Sequence, residues 1–352
     1  MLTTVDYYRR KEVFLAVCDL PPEELPAALE RHCGSDLQLR AAVERLLSLP
    51  DLSPPHDRLP EIPGFVIKER LGAGGMGAVY RAEQLALHRE VALKLLHGWI
   101  AGPGALRLLR REAHLAERVN HPGVARSMDV GTFVQDGVER PFLIMEYVEG
   151  PHLHDYPRSR QLSDDEKLAL LDKVCDAISS AHSRGVIHRD LKPENIIIDA
   201  NGHPKLLDFG IADFAEDEEL TLRTQSLRAA AGTLQYMAPE QLDPDAGPDV
   251  RADIYSLAMI GYEMLAGAPP YDLRGLRMAQ AIHVLQNATC PPLHHAGRRF
   301  RGDLTRVFEK ALQRDPQARY ASVAEFAADL QRVRAHEPIV AARRRPLHAL
   351  AL

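Results

Sequence analysis

Three separated stretches carry residue types suited to holding a phosphate chain. Leu71 to Tyr80 reads LGAGGMGAVY, where Gly72, Gly74 and Gly77 fit G-x-G-x-x-G and let backbone amides approach a phosphate without a Cβ in the way. Alone, this pattern also suits a flexible turn or a dinucleotide-binding turn. The latter must open a helix, however, and here AVYRAE and EVALKLL follow with strand character, so a hairpin lid is the preferred reading. Lys94 stands in VALK on the expected third strand, where a lysine is ordinarily solvated unless it finds a partner. Glu112, in the helical run LRLLRREAHLAERV, is the candidate partner, although a glutamate beside Arg110 and Arg111 equally suits a surface.

The decisive constellation lies further on. Val186 to Ile198 reads VIHRDLKPENIII, and LLDFG follows at Leu206 to Gly210, so Asp190, Lys192, Asn195 and Asp208 come in order. These segments resemble the catalytic loop H-R-D-x-K-x-x-N and the D-F-G loop of protein kinases, and the chain is most similar to the bacterial eukaryotic-like Ser/Thr kinases over about residues 64–334. The resemblance implies transfer of the γ-phosphate of ATP to Ser or Thr hydroxyls of proteins. Asp190 would orient the acceptor hydroxyl and take its proton, while Asn195 and Asp208, both hard oxygen donors, would hold magnesium. Lys94, held by Glu112, would meet the α and β phosphates, and Lys192 the γ-phosphate.

The same resemblance assigns the remaining site residues. Leu71, Gly72, Ala73, Gly74, Gly75, Met76 and Gly77 would cover the nucleotide, with Val79 and Ala92 on the adenine faces. LIMEYVEG, from Leu143 to Gly150, looks like the hinge, with Met145 as gatekeeper and Glu146 to Val148 offering backbone hydrogen bonds to adenine. In GTLQYMAPE, Thr233 would contact Asp190 and Lys192, and Glu240 is expected to pair with Arg319. Asp253 resembles the buried aspartate that braces the catalytic loop. Arg189 implies a phosphorylated activation segment, for which Thr221, Thr224 and Ser226 are candidates, the latter two favoured for their position nearer GTLQYMAPE. The acidic run Glu216 to Glu219 reads as solvated.

These residues need elements to position them. Short β-favouring runs between Gly64 and about His97 predict an antiparallel meander, and helical spacing dominates beyond residue 160. Strands followed by helices in blocks predict an α+β, bilobal protein kinase-like fold with an antiparallel β N-lobe at 64–148 and a mainly α-helical C-lobe at 149–334. Residues 1–48 read as a small helical module, where Leu37, Val43, Leu46 and Leu47 recur at near-helical spacing and Asp19-Leu-Pro-Pro-Glu-Glu supplies cap, proline and acidic first-turn signals. Five prolines make 49–63 an extended linker, and 335–352 is a basic tail.

The composition fits this reading. The 352 residues are 45% hydrophobic and 26% charged, as in a globular protein, and the formal charge of −6 gives no electrostatic reason for nucleic-acid binding. Cys18, Cys33, Cys175 and Cys290 form no C-x-x-C pair, which suits a reducing cytoplasm. No signal peptide or membrane span is expected. The ending ARRRPLHALAL sets only seven residues after Arg345, short of the about 20 that cross a bilayer, although relatives commonly continue into a span and a sensor domain. The expected partners are protein substrates and ATP, with a homodimer for trans-autophosphorylation. A pseudokinase scaffold is the rival from another class, disfavoured because Lys94, Glu112, Asp190, Asn195 and Asp208 are all present. A dinucleotide-dependent oxidoreductase would rest on the glycines alone.

Overall fold

The computed structural model describes residues 23–34, 36–47, 59–74, 77–96, 103–135, 137–208, 233–243, 249–273 and 278–341, together with Val13, Val17, Gly247 and Leu276. Five strands form one antiparallel sheet: β1 (Phe65–Gly74), β2 (Gly77–Gln84), β3 (Arg89–Leu96), β4 (Ser127–Gln135) and β5 (Val138–Glu146), in the order β1-β2-β3-β5-β4. The period-two alternation of the strands sorts their side chains by face. Val91, Leu93, Ile144 and Phe142 pack with Ala82, Ile62 and Phe133 as the core of this lobe. On the other face, the register sets Val79 opposite Lys94, Lys94 opposite Leu143, and Ala92 opposite Met145.

Gly74 pairs with Gly77 across the β1–β2 hairpin. A Cβ at Gly77 would strike the backbone carbonyl of Leu95, so this position admits no side chain. Gly75 and Met76, at the hairpin tip, lie outside the described residues.

The helical lobe is built around α5 (Arg251–Ala266), in which Ala252 to Tyr262 is buried without interruption. A helix buried all round serves as a scaffold rather than a surface. Against it pack α4 (Asp164–His182), α7 (Asp303–Ala311) and α8 (Val323–Arg334), with Leu171, Ile178, Phe308 and Phe326 in a common core. The start of α4 follows from its sequence: Ser163 Oγ accepts the Glu166 N–H while Glu166 Oε2 accepts the Ser163 N–H, a reciprocal capping box. Helix α3 (Pro103–Arg118) packs on β4 and β5. Helix α6 (Met278–Asn287) completes the helical lobe.

The N-terminal helices α1 (Leu25–Cys33) and α2 (Leu37–Leu47) bury Ala28, Leu29, Cys33, Leu39 and Val43 with Val13 and Val17 in a cluster of their own. Of the cap, proline and acidic first-turn signals read at Asp19 to Glu24, residues 19–22 lie outside the described residues. Helix α1 begins at Leu25, with Glu23 and Glu24 in the preceding turn and no acid in its own first turn. Pro26 accounts for this start, since its missing N–H costs nothing at the head of a helix.

Beyond α8, Ile339 enters the helical core, and the amides of Val340 and Ala341 donate to Asp329 at 2.8 and 2.9 Å. Burial alone would raise the Asp329 carboxyl, but these amides, Arg332 and the Tyr320 hydroxyl hold it below its ordinary value of 3.8. A depressed carboxyl contributes stability that is full above its ordinary value and is lost as pH falls through the depressed one. Asp329→Asn is expected to speed hydrogen exchange at Val340 and Ala341 by about 10-fold or more, the worth of charge-assisted bonds. Acidification of the wild type should lower the protection of both amides relative to their intrinsic exchange rates at the same pH.

Candidate active site

Lys94 reaches the site from β3 and Glu112 from α3, and both are buried, at 7% and 1% exposure. Lys94 Nζ lies 2.8 Å from Glu112 Oε1 and 3.1 Å from Asp208 Oδ2. Two carboxylates therefore share one ammonium. Burial works against the Lys94 charge, but Asp208 and Glu112 together hold its pKa above the ordinary lysine range. The shortfall of positive charge falls on Glu112, whose carboxyl burial pushes up to about 7 against the pull of Lys94.

Asp208 follows the short strand β7 (Pro204–Leu206), which pairs with β6 (Ile196–Ile198). The strand end is tightly placed: Leu206 N donates to Gly123 O at 2.8 Å and Leu207 N to Asn195 O at 2.8 Å. Asp208 itself adopts φ +42°, a left-handed conformation for a non-glycine residue.

Asp190, Lys192 and Asn195 gather just before β6. Asn195 Nδ2 donates to Asp190 O at 2.8 Å and to Asp190 Oδ2 at 3.1 Å, and Lys192 Nζ lies 3.4 Å from the same carboxylate oxygen. His188 is fully buried, and its Nε2 lies 3.0 Å from Leu207 O. That partner is a carbonyl, so Nε2 carries the proton. Burial pushes the imidazole pKa down, leaving the ring neutral.

Asp253, 0% exposed within α5, accepts from His182 Nε2 at 2.7 Å and from the N–H groups of His188 and Arg189 at 2.8 Å each. A buried charge persists only with such partners. Despite burial, His182 and these contacts keep its carboxyl below the ordinary range. Glu240 and Arg319 form a two-pronged pair, Nη1 to Oε1 at 2.6 Å and Nη2 to Oε2 at 2.7 Å.

At the lobe junction, Met145 is half-buried and Val148 is buried. Two contacts here have no local sequence signal. Glu146 Oε1 pairs with Lys205 of β7 at 2.7 Å, and Arg81 sits 4.8 Å over the Tyr147 ring. Thr233 opens the 3-10 turn Thr233–Tyr236, and its side chain lies outside the described residues, as do Phe209, Gly210, Thr221, Thr224, Ser226 and the run Glu216 to Glu219.

The site thus joins an amine and two acids, Lys94, Glu112 and Asp208, to a loop that carries a third acid, an amide and a further amine. Against known families, the protein kinase domain matches residues 65–330. The chain belongs to the protein kinase family. It is 37% identical over 276 residues to the serine/threonine-protein kinase PknB of Mycobacterium tuberculosis, covering 78% of this chain and 43% of that protein. It is 35% identical over 285 residues to Pkn1 of Myxococcus xanthus, covering 80% and 40%. The crystal structure of the Mycobacterium tuberculosis PknI kinase domain superposes with a TM-score of 0.57 at 30% identity, covering 77% of this chain and 97% of that one. The chain spans less than half the length of these curated relatives. Among the described residues, no helix is long and apolar enough to cross a membrane.

Protein kinases use ATP and a divalent metal ion, and two atoms test whether this site suits the metal. Asp208 Oδ1 is buried and accepts no hydrogen bond among the described residues. Asn195 directs its NH2 group to Asp190, which leaves its carbonyl oxygen to ligate. These are hard oxygen donors. Among the described residues no three His, Cys, Asp or Glu side chains gather as a metal cage.

Proposed function

We propose that the chain is a serine/threonine protein kinase that moves the γ-phosphate of ATP to Ser or Thr hydroxyls of proteins. The observation that carries this reading is the convergence of Lys94 and Asp208 within 3.1 Å, with Glu112 behind the lysine and Asp190 and Asn195 on the adjoining loop. Phosphoryl transfer asks the protein for alignment and charge neutralisation more than for covalent work, and this cluster supplies both. Lys94 binds the α and β phosphates, Lys192 the γ-phosphate, and Asp190 orients the acceptor hydroxyl and takes its proton. Asn195 and Asp208 would hold magnesium, which would neutralise charge developing on the phosphate oxygens. Val79, Ala92 and Met145 share the sheet face with Lys94 and form an apolar seat for adenine next to the Glu146 to Val148 backbone.

Autophosphorylation between two copies at Thr224 or Ser226 would supply the counter-charge for Arg189. Cytoplasmic placement fits the use of ATP and the free thiols of Cys175 and Cys290.

The full chain incubated with γ-labelled ATP, magnesium and a generic basic protein should place label on phosphoserine or phosphothreonine. Label should vanish when the metal is chelated. Release of inorganic phosphate without protein label, or label confined to tyrosine, would defeat the reading. Lys94→Met is expected to lower kcat/KM for ATP by about 10²-fold, the scale of losing one charged group aimed at a transferring phosphoryl chain. Its fold should survive because Glu112, already pushed up to about 7, takes a proton once the ammonium is gone. Steady-state kinetics with a melting curve checks both halves.

A further inference from the structure

Arg189, directly before Asp190, adopts φ +63°, a left-handed conformation that a non-glycine residue keeps only where its surroundings impose it. Its amide side is held by Asp253, which accepts the Arg189 N–H at 2.8 Å. Its carbonyl side is held from a different part of the chain: Gln241 Nε2 donates to Arg189 O at 2.9 Å. Gln241 lies in the 3-10 turn Pro239–Leu242, and its Oε1 accepts the Ala238 N–H at 3.0 Å.

The two partners of Gln241 have opposite character, one an N–H and one a carbonyl. A terminal amide satisfies both at once and its orientation follows from them, whereas a carboxylate can only accept and an ammonium can only donate. The turn that carries Gln241 is itself anchored, because its neighbour Glu240 is gripped by both Nη atoms of the buried Arg319. A chain of hydrogen bonds therefore runs from the core through this turn to the peptide that joins Arg189 to Asp190.

We propose that Gln241 is a positioning residue for phosphoryl transfer, its amide fixing the Arg189–Asp190 peptide and so the direction of the Asp190 carboxylate. The inference rests on the kinase reading above and adds to it a residue remote from the catalytic loop in sequence. It also links the end of the activation segment to the catalytic carboxylate through one side chain, so that a shift of either displaces the other.

Two variants of the full chain test this. Gln241→Glu keeps the shape and the acceptor for Ala238 but turns an oxygen towards the Arg189 carbonyl, and Gln241→Met removes both bonds at similar length. In each, kcat is expected to fall about 10-fold or more, since small misplacements of a catalytic group are costly in rate. The number of ATP-analogue sites per chain and the dissociation constant for that analogue should stay at wild-type values. A kcat within twofold of wild type in both variants overturns the proposal. So does a fall in kcat matched by an equal fall in nucleotide-binding sites, which would make Gln241 a residue of the fold alone. Wild type and Asp190→Asn run in the same assay: transfer absent from the wild type sinks the kinase reading and this inference with it. Transfer present in the wild type and unchanged in the Gln241 variants sinks this inference alone.

Discussion

Asp190→Asn is expected to lower kcat by about 10³-fold while leaving ATP affinity and the fold in place, the range associated with loss of a positioned general base. Asparagine preserves the shape of the side chain and can still accept from Asn195 Nδ2, so the loop geometry survives. What disappears is the negative charge 3.4 Å from Lys192 Nζ and the capacity to take the acceptor's proton. In the proposed reading ATP is held by Lys94, with Glu112 and Asp208 beside it, and the two ion pairs of Lys94 do not involve Asp190. Single-turnover transfer and an ATP-analogue titration on the same preparation separate the two effects. A variant within tenfold of wild type would remove Asp190 from the chemistry.

Arg319→Ala is expected to destabilise the chain by about 3–5 kcal/mol, the cost of breaking a buried ion pair by removing one partner. The guanidinium gives both Nη atoms to Glu240 and further bonds to the carbonyls of Gln313, Arg251 and Arg314, at 2.6 to 3.1 Å. Alanine leaves those acceptors without their donor and the Glu240 carboxylate in a pocket with little water. At the shift of about 2–4 °C per kcal/mol typical of domains of 150–250 residues, the melting midpoint should drop by roughly 10 °C. Glu240→Gln should cost less, because the amide oxygen still accepts from Arg319. A drop under about 2 °C for Arg319→Ala would show that the pair contributes nothing net, as many solvent-exposed pairs do.

The legible part of the site was the part encoded in short strings. The segment from His188 to Asn195 occupies eight consecutive positions, and within it the types of Asp190, Lys192 and Asn195 suit places around a phosphate. The glycines of the β1–β2 hairpin and the helical setting of Glu112 were likewise readable, since turn chemistry and helical period are local properties. The contacts without a signal join residues far apart along the chain: Gln241 to Arg189, Lys205 to Glu146, and Val340 and Ala341 to Asp329. Nothing in the neighbourhood of Gln241 distinguishes an amide that bridges two peptides from one that faces water.

By itself, the order of residue types determined which chemistry this chain is equipped for: an amine in a strand, an acid in a helix, a loop with acid, amine and amide, and an aspartate after a hairpin. Only the tertiary structure decided how charge is distributed among them. Lys94 is flanked by two carboxylates rather than one, so Glu112 is pushed towards neutrality, and a left-handed Arg189 is held from both sides. Electrostatic energy depends on distance and burial, and a linear string specifies neither until the core around α5 has brought its distant parts together.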